Sequence, residues 1–437
     1  MKSKWIIASI LVIALMATCG ASLYAVWTGA QMAQESGVHV RLGAKTASAK
    51  TTEEKTLTVN TPAHLAVIND FGDVSVVAGG DGQINVKAEK TAWGSNEAEA
   101  QAALKGLKIV YDQTGNKLTI RVEQPVEINV LQIGPGSGNV KFTITVPKET
   151  AVMVTSANGN LSLSGTTGSA DLQTEFGDLS LEDVRGEVSG QSSNGKITAK
   201  NILSDKKITL SSEFGRITAG TIQGSEVMIA STNGELDLTG IKASGLFKAT
   251  SEFGGISISN SQAGMAEFHS TNGAVRLEKI DLAGKLGMNS EFGDLTLIGV
   301  KAMIYELEAK NGKISVDDAQ GQVTAHSEFG DVEVLNADSA TLDLSSKNGS
   351  VTFSGSLGAG PHSVTSEFGD LKLSLPAGTA IDVDLKTEFG EINSDFELTL
   401  TVKGEVKTKH LQGKINGGGA LLTVKTNNGN LTLEATQ

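Results

Sequence analysis

A short signature recurs along most of this chain at nearly constant spacing, and that regularity constrains the fold more than any other feature. One version reads Ser/Thr-Glu-Phe-Gly-x-Leu/Ile-x-Leu. The other reads Ser/Thr-x-Asn-Gly-x-Ile/Leu-x-Leu/Ala. Their glycines are Gly159, Gly177, Gly195, Gly215, Gly234, Gly254, Gly273, Gly293, Gly312, Gly330, Gly349, Gly369 and Gly390, about 19 residues apart with gaps of 18 to 21. Between signatures, apolar and polar residues alternate. Ile197 and Ala199 point one way, Lys196 and Thr198 the other, and Ile208, Leu210 and Ser212 alternate with Thr209, Ser211 and Glu213. A period of two means half-buried strands.

No 19-residue unit has enough apolar surface to fold alone, whereas stacked units bury a continuous core. The spacing therefore predicts an all-β protein: a single-stranded parallel β-helix, or β-solenoid, with two or three short strands per rung. Its expected hand is right-handed. Thirteen rungs at about 4.8 Å per parallel strand give a rod on the order of 60 Å. A β-sandwich array fits less well, because sandwich strands do not recur as near-identical units. Sharp corners between flat sides need residues that accept φ > 0, which predicts that role for the signature glycines and, next best, for the asparagines before them.

The two signatures alternate. Phe176, Phe214, Phe253, Phe292, Phe329 and Phe368 occupy one set of rungs, and Asn158, Asn194, Asn233, Asn272, Asn311 and Asn348 the other. Together with the glycines they form a structural corner ladder. Counting from Ile208 as inward places Phe214 and its equivalents inside, each over the Asn of the next rung, with an exposed adhesive stripe as the competing reading. Glu175, Glu213, Glu252, Glu291, Glu328 and Glu367 precede the phenylalanines, while Ser193, Thr232, Thr271, Lys310 and Lys347 hold that column in the other rungs. This spacing keeps like charges apart up the stack. Phe389-Gly390 follows Phe368-Gly369 directly and breaks the alternation, so Glu367 and Glu388 are expected to face each other one rung apart or to be displaced by the 21-residue gap.

Composition sharpens the class. Glycine contributes 51 of 437 residues and proline 6, which suits many short strands joined by glycine turns rather than collagen or a proline-rich linker. The formal net charge is -13, and no basic run is present, so nucleic acid is not an expected partner. Cys19 is the single cysteine, which excludes intramolecular disulfides and thiolate metal clusters.

Lys2 and Lys4 precede an uncharged run from Trp5 to Trp27, long enough to cross a bilayer. Three readings stay open: a retained anchor contacting the membrane through residues 5–27, a cleaved signal peptide, or a lipoprotein modified on Cys19. Each places the remainder of the chain outside the cytoplasm, membrane-anchored or secreted. The organisation expected is 1–30 as signal anchor or signal peptide, 31–54 as polar spacer and 55–150 as an N-terminal β-rich capping lobe. Regular repeats follow over 151–395, then irregular C-terminal rungs and a cap over 396–437. One helix is expected near Asn96 to Leu107, with Asn96 as N-cap and Glu99 three residues on.

The chain resembles the bacterial DUF4097/DUF4098 β-strand-repeat family, often described as candidate adhesins, over roughly residues 55–437. The resemblance rests on Phe71-Gly72-Asp73-Val74-Ser75-Val76, the helical insert near 96–107, and Val146-Pro147 leading into the repeats. It rests also on Gly413-Lys414-Ile415-Asn416-Gly417-Gly418 and Asn428-Gly429-Asn430-Leu431. It implies an envelope-associated, non-enzymatic solenoid, and it brings no catalytic residues.

A polysaccharide-active β-helix enzyme, the minor alternative, would need carboxylates or cations in a non-repeating cleft, and the even gaps leave no long loop to wall one. His39, His64, His269, His326, His362 and His410 are scattered without metal-ligand spacing. No catalytic, cofactor-binding or metal-ligating residues are therefore expected, and no cofactor. Two functions remain: an adhesin or surface scaffold presenting a long polar face to glycan or an envelope protein, or a membrane-anchored partner in an envelope-stress or regulatory system.

Overall fold

The structure, a computed structural model, describes residues 39–41, 46–80, 82–123, 130–132, 138–400 and 408–436. The Trp5–Trp27 run and Cys19 lie outside these residues. Among the described residues no helix is long and apolar enough to cross a membrane.

Two compact units are present. Among the described residues, the smaller draws on those within 39–54, 87–110 and 121–141, the larger on those within 55–86, 111–120 and 142–436. In the smaller unit the expected helix forms at Glu97–Gly106. The Asn96 side chain accepts from the Glu99 amide at 2.9 Å, and the Glu99 carboxylate accepts from the Ser95 amide at 3.0 Å. This reciprocal pairing satisfies two amides at the helix start. Ala100 and Leu104 form the buried face, packed with Ala49 and Ala92.

The larger unit is a β-solenoid. Parallel pairing runs from rung to rung, with Ser212 beside Ser231, Ser231 beside Ser251 and Ser251 beside Ser270 on one side. A second side pairs Ile197 with Ile217 and Ile217 with Leu236. Ile197, Ala199, Ile202, Ile208, Leu210, Ile217 and Ala219 are all buried, as the alternation predicts. The core is aliphatic with a few aromatic fillers. Phe247 and Phe268 meet edge to face, ring centres 5.1 Å apart. The buried Tyr305 hydroxyl donates to the Val300 carbonyl at 2.6 Å and accepts from the Ala302 amide at 3.0 Å.

The corner chemistry differs from the expectation. From Gly159 to Gly390 no signature glycine has positive φ, and neither does the asparagine before it. Glycine is required there by crowding: a Cβ on Gly215 or Gly254 would overlap the carbonyl oxygen of the glycine one rung earlier. Left-handed backbone occurs instead at the next corner, at Gly165, Asp183, Asn201, Thr221, Gly240, Asn260, Lys279, Gly299, Asp318, Asn336 and Gly355. That column is chemically mixed, so it leaves no signature in the sequence.

Both ends of the stack depart from sequence order. Ala63–Phe71 and Val74–Gly79 already form a rung under Thr150–Asn158 and Leu161–Ser164, so Asp70-Phe71-Gly72-Asp73 belongs to the stack rather than to a separate lobe over it. Part of Gly138–Pro147 pairs with the far side of Val74–Gly79, Val74 opposite Phe142. At the C-terminus, Leu421–Thr426 and Leu431–Thr436 insert between two earlier rungs. Leu421–Thr426 pairs with His362–Ser366 on one side and Ile381–Thr387 on the other. Leu431–Thr436 lies between Leu371–Pro376 and Ile392–Ser394 in the same way. His410–Ile415 then closes the outer edge of Ile381–Thr387 as an antiparallel strand.

The insertion corrects the expectation for Glu367 and Glu388. Gly429 stacks on Gly369, and Gly390 stacks on Gly429, so the Asn427-Asn428 rung separates the two glutamates. Asn428 restores the alternation that the sequence order breaks.

Candidate functional site

The corner at the signature glycines repeats one arrangement fifteen times, from Gly72 to Gly390. The strand ends on an inward Ser or Thr, or on Asn69 at the Gly72 corner, two consecutive residues then point out, and the glycine turns back toward the core. The serine hydroxyl ties the corner together. Ser251 Oγ accepts from the Gly254 amide at 2.9 Å and donates to the Gly234 carbonyl at 3.2 Å. The same pair of bonds recurs at Ser192, Ser212, Ser231, Ser270, Ser290, Ser327 and Ser346. Each hydroxyl therefore joins one rung to its predecessor without leaving a buried polar group unpaired.

The two consecutive outward residues decide where the phenylalanines go. Counting by two carries Phe214 inward, but the corner spends one extra residue outside, and Gly215 takes the inward slot. Phe176, Phe214, Phe253, Phe292, Phe329, Phe368 and Phe389 are 55 to 71% exposed, and Phe71 36%. The phenylalanine column is thus a surface stripe, not core. Its rings recur every second rung, about 9.6 Å apart. In five of the rungs between, the asparagine lies back on the main chain. Asn194, Asn233, Asn272, Asn311 and Asn348 each donate from the side-chain amide to the carbonyl of Glu175, Glu213, Glu252, Glu291 and Glu328 at 3.0 to 3.2 Å. Short, backbone-bound asparagines leave the flanking rings standing proud.

Acidic residues on the two sides of the phenylalanine differ in what they do. After the glycine, Asp73, Asp178, Asp294, Asp331 and Asp370 accept from backbone amides of the following rung at 2.7 to 3.0 Å. The sequence does not signal these structural bonds, because Asp, Asn and Lys share the position. Before the phenylalanine, no carboxylate of Glu175, Glu213, Glu252, Glu291, Glu328 or Glu367 has an ion pair or hydrogen bond among the described residues. Only the last pair is engaged. Lys386 lies 3.5 Å from the Glu388 carboxylate. Lys409 Nζ donates to the Glu388 carbonyl at 2.9 Å and sits 5.9 Å from the Phe389 ring centre.

The residues that build these corners lie within matches to a known family. The Toastrack DUF4097 family model matches residues 63–285 and again 267–434. The chain belongs to the Toastrack family. No curated protein matches this Toastrack chain. Solved structures similar to it include a candidate adhesin from Bacteroides fragilis, 14% identical, covering 57% of this chain and 97% of that one, with a TM-score of 0.34. A candidate cell adhesion protein from Clostridium sporogenes is 9% identical over 88% of this chain and 100% of that one, TM-score 0.15. A candidate adhesin from Parabacteroides distasonis is 12% identical over 74% and 97%, TM-score 0.23.

The rest of the surface is less organised. His269 and His326 both line a shallow polar depression on the strand face beside the corner, with Lys248, Glu267, Lys285 and Glu306. The cations there are already paired, Lys248 with Glu267 at 3.4 Å and Lys285 with Glu306 at 2.5 Å. His362 is buried, and burial pushes its pKa down, partly opposed by the Gly358 carbonyl. Among the described residues no three potential metal ligands come together.

Proposed function

We propose that this Toastrack protein is a non-enzymatic binding solenoid, an adhesin or surface scaffold displayed outside the cytoplasm, whose aromatic corner holds an extended partner. The observation that carries this reading is the exposed phenylalanine column. Eight rings at one spacing along one corner form an apolar stripe that contributes nothing to the core. Exposed aromatic stripes of this kind on a soluble surface mark interaction sites. The reading replaces the polar flat face with the corner as the contact surface. Charged face residues such as Lys248 and Glu267 pair with one another, whereas among the described residues the one cation over a ring of the stripe is Lys409 at Phe389.

The test is surface attachment by cells carrying Phe214→Ser, Phe253→Ser and Phe292→Ser together. The stripe reading expects attachment to fall while the variant is exported and melts as the parent does. Attachment at the parental level by the folded variant would remove the corner from the function.

A further inference from the structure

The stripe is not merely apolar. In every phenylalanine rung an exposed carboxylate precedes the ring: Asp70, Glu175, Glu213, Glu252, Glu291, Glu328, Glu367 and Glu388. Such residues are ordinary on a surface, and acidity alone would identify nothing. Two further features give them a direction. The aspartates after the glycines are bonded to backbone amides, yet the carboxylates beside the rings from Glu175 to Glu367 have no partner among the described residues. Lys310 and Lys347 hold this column in the rungs beside Glu291, Glu328 and Glu367 without pairing with them, whereas at Glu388-Phe389 two lysines come close. Lys409 Nζ stands within cation–π range of Phe389, and Lys386 approaches Glu388. An ammonium gains from the ring face and from the neighbouring carboxylate together, and its alkyl stem covers the ring edge.

From this we infer that the corner binds a basic, extended polypeptide segment, one Lys or Arg seated at each Glu-Phe pair and combining the ring contact that Lys409 makes with Phe389 and the carboxylate contact that Lys386 makes with Glu388. This inference rests on the binding-solenoid reading and names its partner. Charge complementarity selects the class, since a chain of net charge -13 draws cations to an acidic edge. Spacing selects the conformation. Pairs repeat every two rungs, about 9.6 Å. A polyproline II segment advances about 9.3 Å per three residues, so a basic residue at every third position stays in step with the pairs. A β-strand does not fit as well, because its same-face residues recur about every 6.8 Å.

The test uses the full-length protein and a labelled (Pro-Pro-Lys)6 peptide, with binding read by fluorescence anisotropy. The comparison peptide carries the same residues as six consecutive lysines followed by twelve prolines. The proposal expects the spaced peptide to bind at least about tenfold more tightly than the block peptide. It also expects about a tenfold loss in the Glu213→Gln/Glu252→Gln/Glu291→Gln variant, in which the phenylalanines remain. Equal binding of both peptides, or unchanged binding by that variant, would reduce the effect to general attraction by an acidic protein and overturn the proposal. So would an absence of peptide binding. A parallel measurement with chitohexaose separates the two levels. Binding of that neutral glycan, lost in the triple Phe→Ser variant but kept in the triple Glu→Gln variant, would overturn the cationic partner while leaving the binding-solenoid reading in place.

Discussion

At the residue scale, the corner separates three neighbours by task. Ser251 is buried and joins two backbone groups from successive rungs, Phe253 is exposed, and Gly254 leaves room for the carbonyl of Gly234. Replacing the serine by alanine leaves a buried amide and a buried carbonyl short of a partner. Ser251→Ala is therefore expected to cost about 1–3 kcal/mol, measured by denaturant unfolding. A cost below about 0.5 kcal/mol would mean that the ladder of hydroxyls adds little. The sequence shows the Ser-x-x-Gly spacing but not this bond pattern. Ser212 reads only as the inward end of an alternating strand. Alternation misplaces Phe214 for a related reason. It presumes a continuous strand, and a corner that puts two residues outside in succession shifts everything beyond it. Gly215 is legible as a corner residue, but the constraint on it is close backbone approach rather than dihedral freedom.

At the scale of elements, the C-terminal segment holds a position that its place in the chain does not suggest. Leu421–Thr426 and Leu431–Thr436 fill the gap between the Gly369 and Gly390 rungs. Removing them leaves two facing edges with unpaired amides and carbonyls, which invite aggregation. Deleting residues 420–437 is expected to release Ile381–Thr387 and its antiparallel partner. Hydrogen exchange should then show protection lost there and retained from Ile208 to Ser346, because each rung depends mainly on its neighbours. Uniform loss along the whole stack would contradict that local dependence. The insertion is half visible in the sequence. Asn427-Asn428-Gly429 is legible as a late signature, and Phe389-Gly390 as an irregular successor to Phe368-Gly369. Pairing them requires the long return through residues 395–420, which carries no repeat. The helix, by contrast, is legible to within a residue, because Asn96 and Glu99 state its start locally.

At the scale of the whole solenoid, the stack turns a short signature into a long periodic surface. Rung pairing fixes the ring spacing, so on the proposed binding reading no single phenylalanine sets the affinity and the stripe acts through repetition. The architecture is legible because the 19-residue period and the alternation agree on parallel, half-buried strands. The surface is not, since its character depends on which way one corner residue faces. That orientation is the central claim, and thermal melting of Phe253→Ala tests it most directly. The exposed stripe predicts a midpoint within about 2 °C of the parent, since surface substitutions change stability by about 0.5 kcal/mol or less. A fall on the order of 5 °C or more, as expected from the roughly 3–5 kcal/mol lost when a buried phenylalanine is truncated, would contradict it and return the column to the core.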